Sequence, residues 1–200
     1  MDGTLVYSEP LKGKALALAC LEFGSSVDYH IYQEVMGEDW PTVTAHFFRQ
    51  ANITPDIDNF NQVFRAHYQD LLKHELELTL YAQDYLQKLK QEGYKLGVVS
   101  SAANWMLEQI LQQLGLDAFF DIIICQEDVS QHKPHPEAYL VALDKLAIPA
   151  SEVLVFEDSS AGIRAASAAG CDVIAIQHEF NIKNNLEGSL TSIRHFNEMH

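Results

Sequence analysis

Four short, uninterrupted apolar runs in the second half of the chain, separated by segments of helical period, constrain the fold more than any other feature. The runs lie within residues 95–99, 121–125, 153–156 and 173–176, the first two opened by Lys95 and Asp121, and the helical segments cover 81–91, 104–114, 137–146 and 162–169. In the first helical segment Tyr85, Leu86 and Leu89 share a face, and in the second Leu107, Ile110, Leu111 and Leu114 do. Gly93, Gly115 and Gly170 stand where these helices stop, and Pro136 stands just ahead of the third. Because the runs are apolar throughout instead of alternating, they read as strands buried on both faces. That means a parallel sheet covered by helices on each side. Such sheets bind ligands outside the carboxyl ends of their strands. The rule singles out Ser100-Ser101, the loop 126–135 and Glu157-Asp158 before any chemistry is considered.

Residues 8–80 carry no strand run. Their spacing predicts helices over 10–23, 29–36, 41–51 and 56–77, an all-helical block inserted into the sheet domain. The fold class expected is therefore α/β, with a core of residues 1–7 and 81–200 and a helical subdomain of residues 8–80. The polar tail from His178 has an apolar trio, Leu190, Ile193 and Phe196, and is expected to form a last short element closing the sheet edge.

Composition limits the partners. Against 28 acidic side chains there are only 13 basic ones, for a net charge of −15 over 200 residues. A nucleic acid or an anionic membrane surface is the wrong partner for that field. No run of apolar residues is long enough to span a bilayer, and Met1-Asp2-Gly3-Thr4 lacks the basic and apolar regions of a secretory signal. Cys20, Cys125 and Cys171 have neither disulfide nor zinc spacing. They read as small buried hydrophobes in a cytoplasmic protein.

Each polar segment at the strand ends has an ordinary explanation when taken alone. Asp2-Gly3 makes a turn, Ser100-Ser101 caps a helix, Lys133 is a loop lysine, and Glu157-Asp158-Ser159 favours the positive end of a helix. Taken together they are chemically complementary. Paired carboxylates hold a hard cation such as Mg2+, while a lysine, a hydroxyl and free N–H groups hold phosphate oxygens. Phosphoryl transfer needs this combination, because its catalysis is mostly positioning and charge neutralisation.

These residues resemble the haloacid dehalogenase-like superfamily, in its phosphatase and phosphomutase branch with a helical cap. Met1-Asp2-Gly3-Thr4-Leu5 looks like the last part of the first motif, Asp-x-Asp-Gly-Thr after a strand. Ser100 matches the second motif, Lys133 in Lys133-Pro134-His135-Pro136-Glu137 the third, and Glu157-Asp158-Ser159-Ser160-Ala161-Gly162 the fourth. The likeness covers essentially the whole chain. It implies a Rossmann-like core under a helical cap, and Mg2+-dependent hydrolysis of a small phosphorylated metabolite such as a sugar phosphate or phosphoglycolate by a monomer or weak dimer. Asp2 would be the general acid/base, with its carbonyl on Mg2+. Asp158 would be a direct metal ligand, and Glu157 a ligand directly or through water. Ser100, the N–H of Ser101, and Lys133 would bind the transferring phosphoryl group.

One departure matters. The family's nucleophilic aspartate stands two residues before Asp2, immediately ahead of Met1, at the end of a strand central to the sheet. The expectation is that the sequence begins at an internal methionine of a longer protein. Losing that strand would leave unpaired backbone groups and a gap between buried strands, a heavy cost for a domain stable by about 5–15 kcal/mol. The alternative from another class is a catalytically silent phosphate-binding protein. A sugar phosphomutase is disfavoured because Tyr7 and Lys12 stand where such relatives carry Asp and His, and a phospho-accepting receiver because of the helical insertion. His132 and His135 read as solvated, Met36 and Trp40 as core or surface, and Glu75 and Glu77 as a solvated helix end.

Overall fold

The computed structural model describes residues 1–199. It divides into two compact units, one of Tyr7–Glu77 and one of Met1–Val6 with the chain from Leu78 onward. The division falls one residue earlier than 7/8 and three earlier than 80/81. Val6 bridges Leu78, the Thr79 N–H donates to the Leu5 carbonyl (2.9 Å), and the Thr79 hydroxyl donates to the Thr4 carbonyl (2.7 Å). These bonds attach residues 78–80 to the N-terminal turn.

The Tyr7–Glu77 unit is helical. Helix α1 (Glu9–Glu22) opens with Pro10 in its first turn, where a missing N–H costs nothing. Helix α2 (Trp40–Ala51) is capped by the Asp39 carboxylate, which accepts from the Thr42 N–H, and α3 (Ile57–Glu75) by Asp56, which accepts from the Asn59 N–H. Phe60, Phe64, Tyr68 and Leu72, four residues apart along α3, are its buried stripe. The helix expected over 29–36 is a 3₁₀ helix, Tyr29–Glu34, begun by the Asp28 carboxylate and ended before Gly37 at φ 88°. Trp40 lies 4.6 Å from the Phe64 ring and donates from Nε1 to Asn61 (2.9 Å), while Met36 is buried, so both belong to this unit's own packing. Glu75 pairs with Lys14 at an exposed site.

The second unit alternates helix and strand: α4 (Ala82–Gln91), β1 (Gly97–Val99), α5 (Asn104–Leu114), β2 (Ile122–Ile124), α6 (Glu137–Leu146), β3 (Leu154–Glu157), α7 (Ser160–Ala168), β4 (Asp172–Ile176) and β5 (Thr191–Ile193). All strand pairs are parallel. Ile163, Ala165 and Ala166 of α7 pack against Val155, Val173 and Ala175 on one face, and Tyr85, Phe156 and Phe196 form an aromatic cluster on the other. Val173, Ile174, Ala175 and Ile176 of β4 are all buried, as in a strand covered on both faces, whereas Ile123 of β2 and Leu154 of β3 are exposed, which departs from the expectation of strands buried on both faces. The tail supplies β5, paired to β4. Its apolar trio divides, with Ile193 and Phe196 buried and Leu190 67% exposed, so Leu190 does not join the core.

The single sheet expected from the strand runs is divided in two, β1–β2 and β3–β4–β5. In β1 the even residues face β2, since Ser100 N–H donates to the Ile124 carbonyl and the Leu96 carbonyl accepts from Asp121 N–H. Gly97 and Val99 therefore turn their backbone groups the other way. In β4 the odd residues face β5, through Leu190 N–H to the Val173 carbonyl and Gln177 N–H to the Ile193 carbonyl. With Phe156 in register with Ile174, this leaves the backbone groups of Leu154 and Phe156 directed away from β4. Both edges line one cavity of about 390 Å³, which Leu96, Val98, Val155, Leu5 and Met1 make largely apolar.

Candidate active site

The first turn brings Asp2 to the carboxyl ends of the strands. The Met1 carbonyl accepts from the Thr4 (3.1 Å) and Leu5 (2.8 Å) N–H groups, and Gly3 takes φ 62°, a conformation that favours glycine. A side chain at Gly3 would collide with the Asp158 carboxylate and the His178 ring, so the turn and the end of β3 approach as closely as the backbone allows. Asp2 is buried, with the Ser100 hydroxyl 3.4 Å from its Oδ2. Ser100 follows β1 directly. Its N–H is committed to the Ile124 carbonyl, and its hydroxyl accepts from the Ala102 N–H (3.1 Å). Ser101 beside it is exposed.

Lys133 reaches the same place from the loop after β2. The Glu137 carboxylate accepts from the Ser130 (2.9 Å) and Gln131 (2.8 Å) N–H groups, which ties the loop to the first turn of α6. The ammonium of Lys133 then donates to the Val99 carbonyl (3.1 Å) and to Glu157 Oε1 (2.5 Å). Tyr139 on α6 donates its hydroxyl to the same Glu157 oxygen (2.5 Å). Glu157 is thus a buried carboxylate with two strong donors. Burial pushes its pKa up, but the Lys133 ammonium, the Met1 amino terminus and the bonds from Lys133 and Tyr139 outweigh burial and hold it below the ordinary 4.5. Burial, reinforced by Glu157, raises the Tyr139 hydroxyl well above 10.

Asp158 faces the other way. Its Oδ1 lies 3.5 Å from the Thr4 hydroxyl and its Oδ2 3.2 Å from His178 Nε2, and its carbonyl accepts from the Asn181 amide (2.8 Å). Ser159 caps α7 by accepting the Gly162 N–H (3.0 Å). A Cβ at Gly162 would fall on the Glu157 carboxylate, so only glycine lets that side chain lie across the start of the helix. His132 is exposed, and His135 accepts the Glu137 N–H, so neither joins the site.

The structure brings Asp2, Ser100, Lys133, Glu157 and Asp158 together. It does not bring the two acidic neighbours to one point, since Glu157 binds the lysine while Asp158 lies against Gly3 and Thr4. Among the described residues no three His, Cys, Asp or Glu side chains gather as a metal cage. The fit to Mg2+ rests on the chemistry of the donors. Asp158 and Asp2 offer hard oxygens beside a glycine cradle, and Mg2+ is commonly held by one or two carboxylates, with water and substrate phosphate completing its shell.

The haloacid dehalogenase-like hydrolase family model matches residues 1–176, most of the chain. The chain belongs to that family. Among curated haloacid dehalogenase-like relatives, the phosphorylated carbohydrates phosphatase of Thermotoga maritima is 26% identical over 90% of this chain and 84% of its own. The phosphoglycolate phosphatase of Pectobacterium atrosepticum is 28% identical over 94% of this chain and 82% of its own. The fold matches CbbY of Rhodobacter sphaeroides, solved in complex with phosphate, with a TM-score of 0.88 at 24% identity, covering 99% of this chain and 92% of that one. This haloacid dehalogenase-like chain is thus a hydrolase that stands among phosphatases. Three residues at the site escape a reading by motif: Tyr139, His178 and Asn181. The strand-end rule reaches His178, two residues past β4, but nothing in the spacing marks Tyr139, which looks like one more apolar position of α6.

Proposed function

We propose that the protein hydrolyses the phosphate monoester of a small metabolite, with Mg2+, through an aspartate joined to Met1 at the end of a strand lying in the cavity between β1 and β3. The observation that carries this reading is the convergence of Asp2, Ser100, Lys133 and Asp158 at the carboxyl ends of β1 and β3. The cavity supports the placement of the strand. Both of its walls are strand edges with backbone groups turned inward, and Met1 lines it next to the site.

In this reading Lys133 and the Ser100 hydroxyl hold phosphoryl oxygens, the lysine exchanging its bond to the Val99 carbonyl for one to the substrate while keeping Glu157. Asp2, beside Ser100, protonates the leaving oxygen and then takes the proton from the attacking water. Bound Mg2+ would neutralise phosphate charge, and Asp158 and Asp2 are the residues that would hold it. Net hydrolysis is favoured over phosphate transfer between sugars. Tyr7 stands where phosphomutase relatives carry an aspartate, and Lys12 pairs with Glu9 (3.3 Å) within the helical unit. Small phosphorylated metabolites as substrates, a cytoplasmic setting and a monomer or weak dimer belong to the same proposal. Among the described residues no helix is long and apolar enough to cross a membrane.

Hydrolysis of p-nitrophenyl phosphate with Mg2+ tests the reading. The chain preceded by an apolar strand ending in Asp should be active and the chain from Met1 nearly silent. Asp2→Asn in the active form should lower kcat by about 10²–10⁴. Equal rates from both forms would show that the chemistry does not use that aspartate.

A further inference from the structure

We infer that His178 and Asn181 form a bracket that fixes the orientation of the Asp158 carboxylate, the proposed cation ligand. The inference rests on the proposed role of Asp158 as a cation ligand and assigns the two residues that position it.

Asn181 is fully buried, and every polar atom of its side chain is used. Its Nδ2 donates to the carbonyls of Asp158 (2.8 Å) and Ile176 (2.7 Å), and its Oδ1 accepts the His178 N–H (2.8 Å). Two carbonyl acceptors and one N–H donor leave no choice in the amide's orientation. The side chain therefore ties the end of β3 to the end of β4 and sets the backbone on which His178 is carried. The ring of His178 is then defined by its own bonds. Its Nδ1 accepts the Phe180 N–H (3.2 Å), which leaves Nε2 as the donor, and Nε2 faces Asp158 Oδ2 at 3.2 Å.

A third constraint comes from the opposite side. The residue 3 backbone presses on this pair, since a Cβ at Gly3 would meet both the Asp158 carboxylate and His178 Nε2. With the Thr4 hydroxyl near Oδ1, Asp158 is held by its carbonyl and by both carboxylate oxygens. The Nε2 donor orients the carboxylate from the side opposite Thr4. Glu157 next to it is neutralised by Lys133. Carboxylates that ligate metals are themselves oriented by hydrogen bonds from outer residues, and His178 makes such a bond to Asp158.

The test uses the chain from Met1. Long-range proton–nitrogen NMR of the imidazoles should show His178 with a bare Nδ1 and a protonated Nε2, and the opposite tautomer overturns the bracket. Isothermal titration with MgCl2 should show His178→Leu binding about tenfold or more weaker than the unaltered protein. His178→Gln, whose amide N–H replaces Nε2–H, should stay within about threefold. Equal weakening in Leu and Gln, or none in Leu, also overturns it. If the unaltered protein binds no Mg2+, the metal-dependent function fails, and the tautomer by itself decides whether the bracket stands.

Discussion

At the end of β1, Ser100 makes one long contact to Asp2 and one local bond from Ala102, whereas at the end of β3, Glu157 and Asp158 sit among bonds from Lys133, Tyr139, Thr4, His178 and Asn181. The contrast follows from what each end carries. A hydroxyl can be left to a short loop, because misplacing it costs one local bond and one long contact and strands no charge of its own. Buried carboxylates cannot, because an uncompensated charge in the interior costs far more. The β3 end is therefore built into the folded state, and the β1 end is the softer, more easily rearranged half of the site.

The largest expected effect breaks this difference at its strongest link. Lys133→Ala strands the buried Glu157 carboxylate, and urea denaturation should show a loss of about 3–5 kcal/mol. Replacing both partners, as Lys133→Met with Glu157→Gln, should recover most of that loss. A single-variant loss under about 1 kcal/mol would mean the pair is as weak as a surface one.

Next comes Tyr139→Phe, which removes a hydrogen bond to a charged group and should cost about 1.5–3 kcal/mol by the same measurement. The same pair sets limits on pH. Glu157 is held below its ordinary 4.5, so its contribution is present above about pH 4.5 and is lost as pH falls through its lowered value. Tyr139 is raised above 10, so its contribution is intact below about pH 10 and is lost as pH climbs toward its raised value. Thermal midpoints recorded from pH 3 to 11 should fall at both ends. In Tyr139→Phe the alkaline fall should shrink, and an unchanged alkaline limb would assign it to another group.

Ser159→Ala removes the cap of α7 and should cost about 1 kcal/mol, read from chemical denaturation. The smallest effect belongs to the β1 end. Ser100→Ala should cost about 0.5–1 kcal/mol, yet weaken inorganic phosphate binding measured by calorimetry. A stability loss as large as that of Lys133→Ala would erase the contrast between the two ends.

The positions of these side chains were legible in the sequence to different depths. Ser100, Glu157 and Asp158 follow directly from apolar runs that end in polar residues, because a strand of fixed rise puts the residue after it at the sheet's edge. The pairing of Lys133 with Glu157 instead of the substrate side alone was not legible. It depends on a loop whose path is set by Glu137 and on a ring from α6, neither of which has a periodic signal. Asn181 was read as part of a polar tail, since a buried asparagine looks like an exposed one until its three partners are in place.

What the sequence by itself determined is the local and periodic part: short apolar strands, helices between them, an all-helical insertion, and the four segments of the family's site. Each of these depends on neighbours a few residues away, through the 3.6 and continuous apolar patterns and through caps such as Ser159. What only the tertiary structure decided is how the pieces share charge and edges. It divided the sheet between β1 and β3, gave Lys133 to Glu157, and turned Asp158 toward Gly3 and His178. Those outcomes are settled by distances between residues as far apart in sequence as Thr4 and Asp158, where burial makes an unpaired group costly and so selects the arrangement.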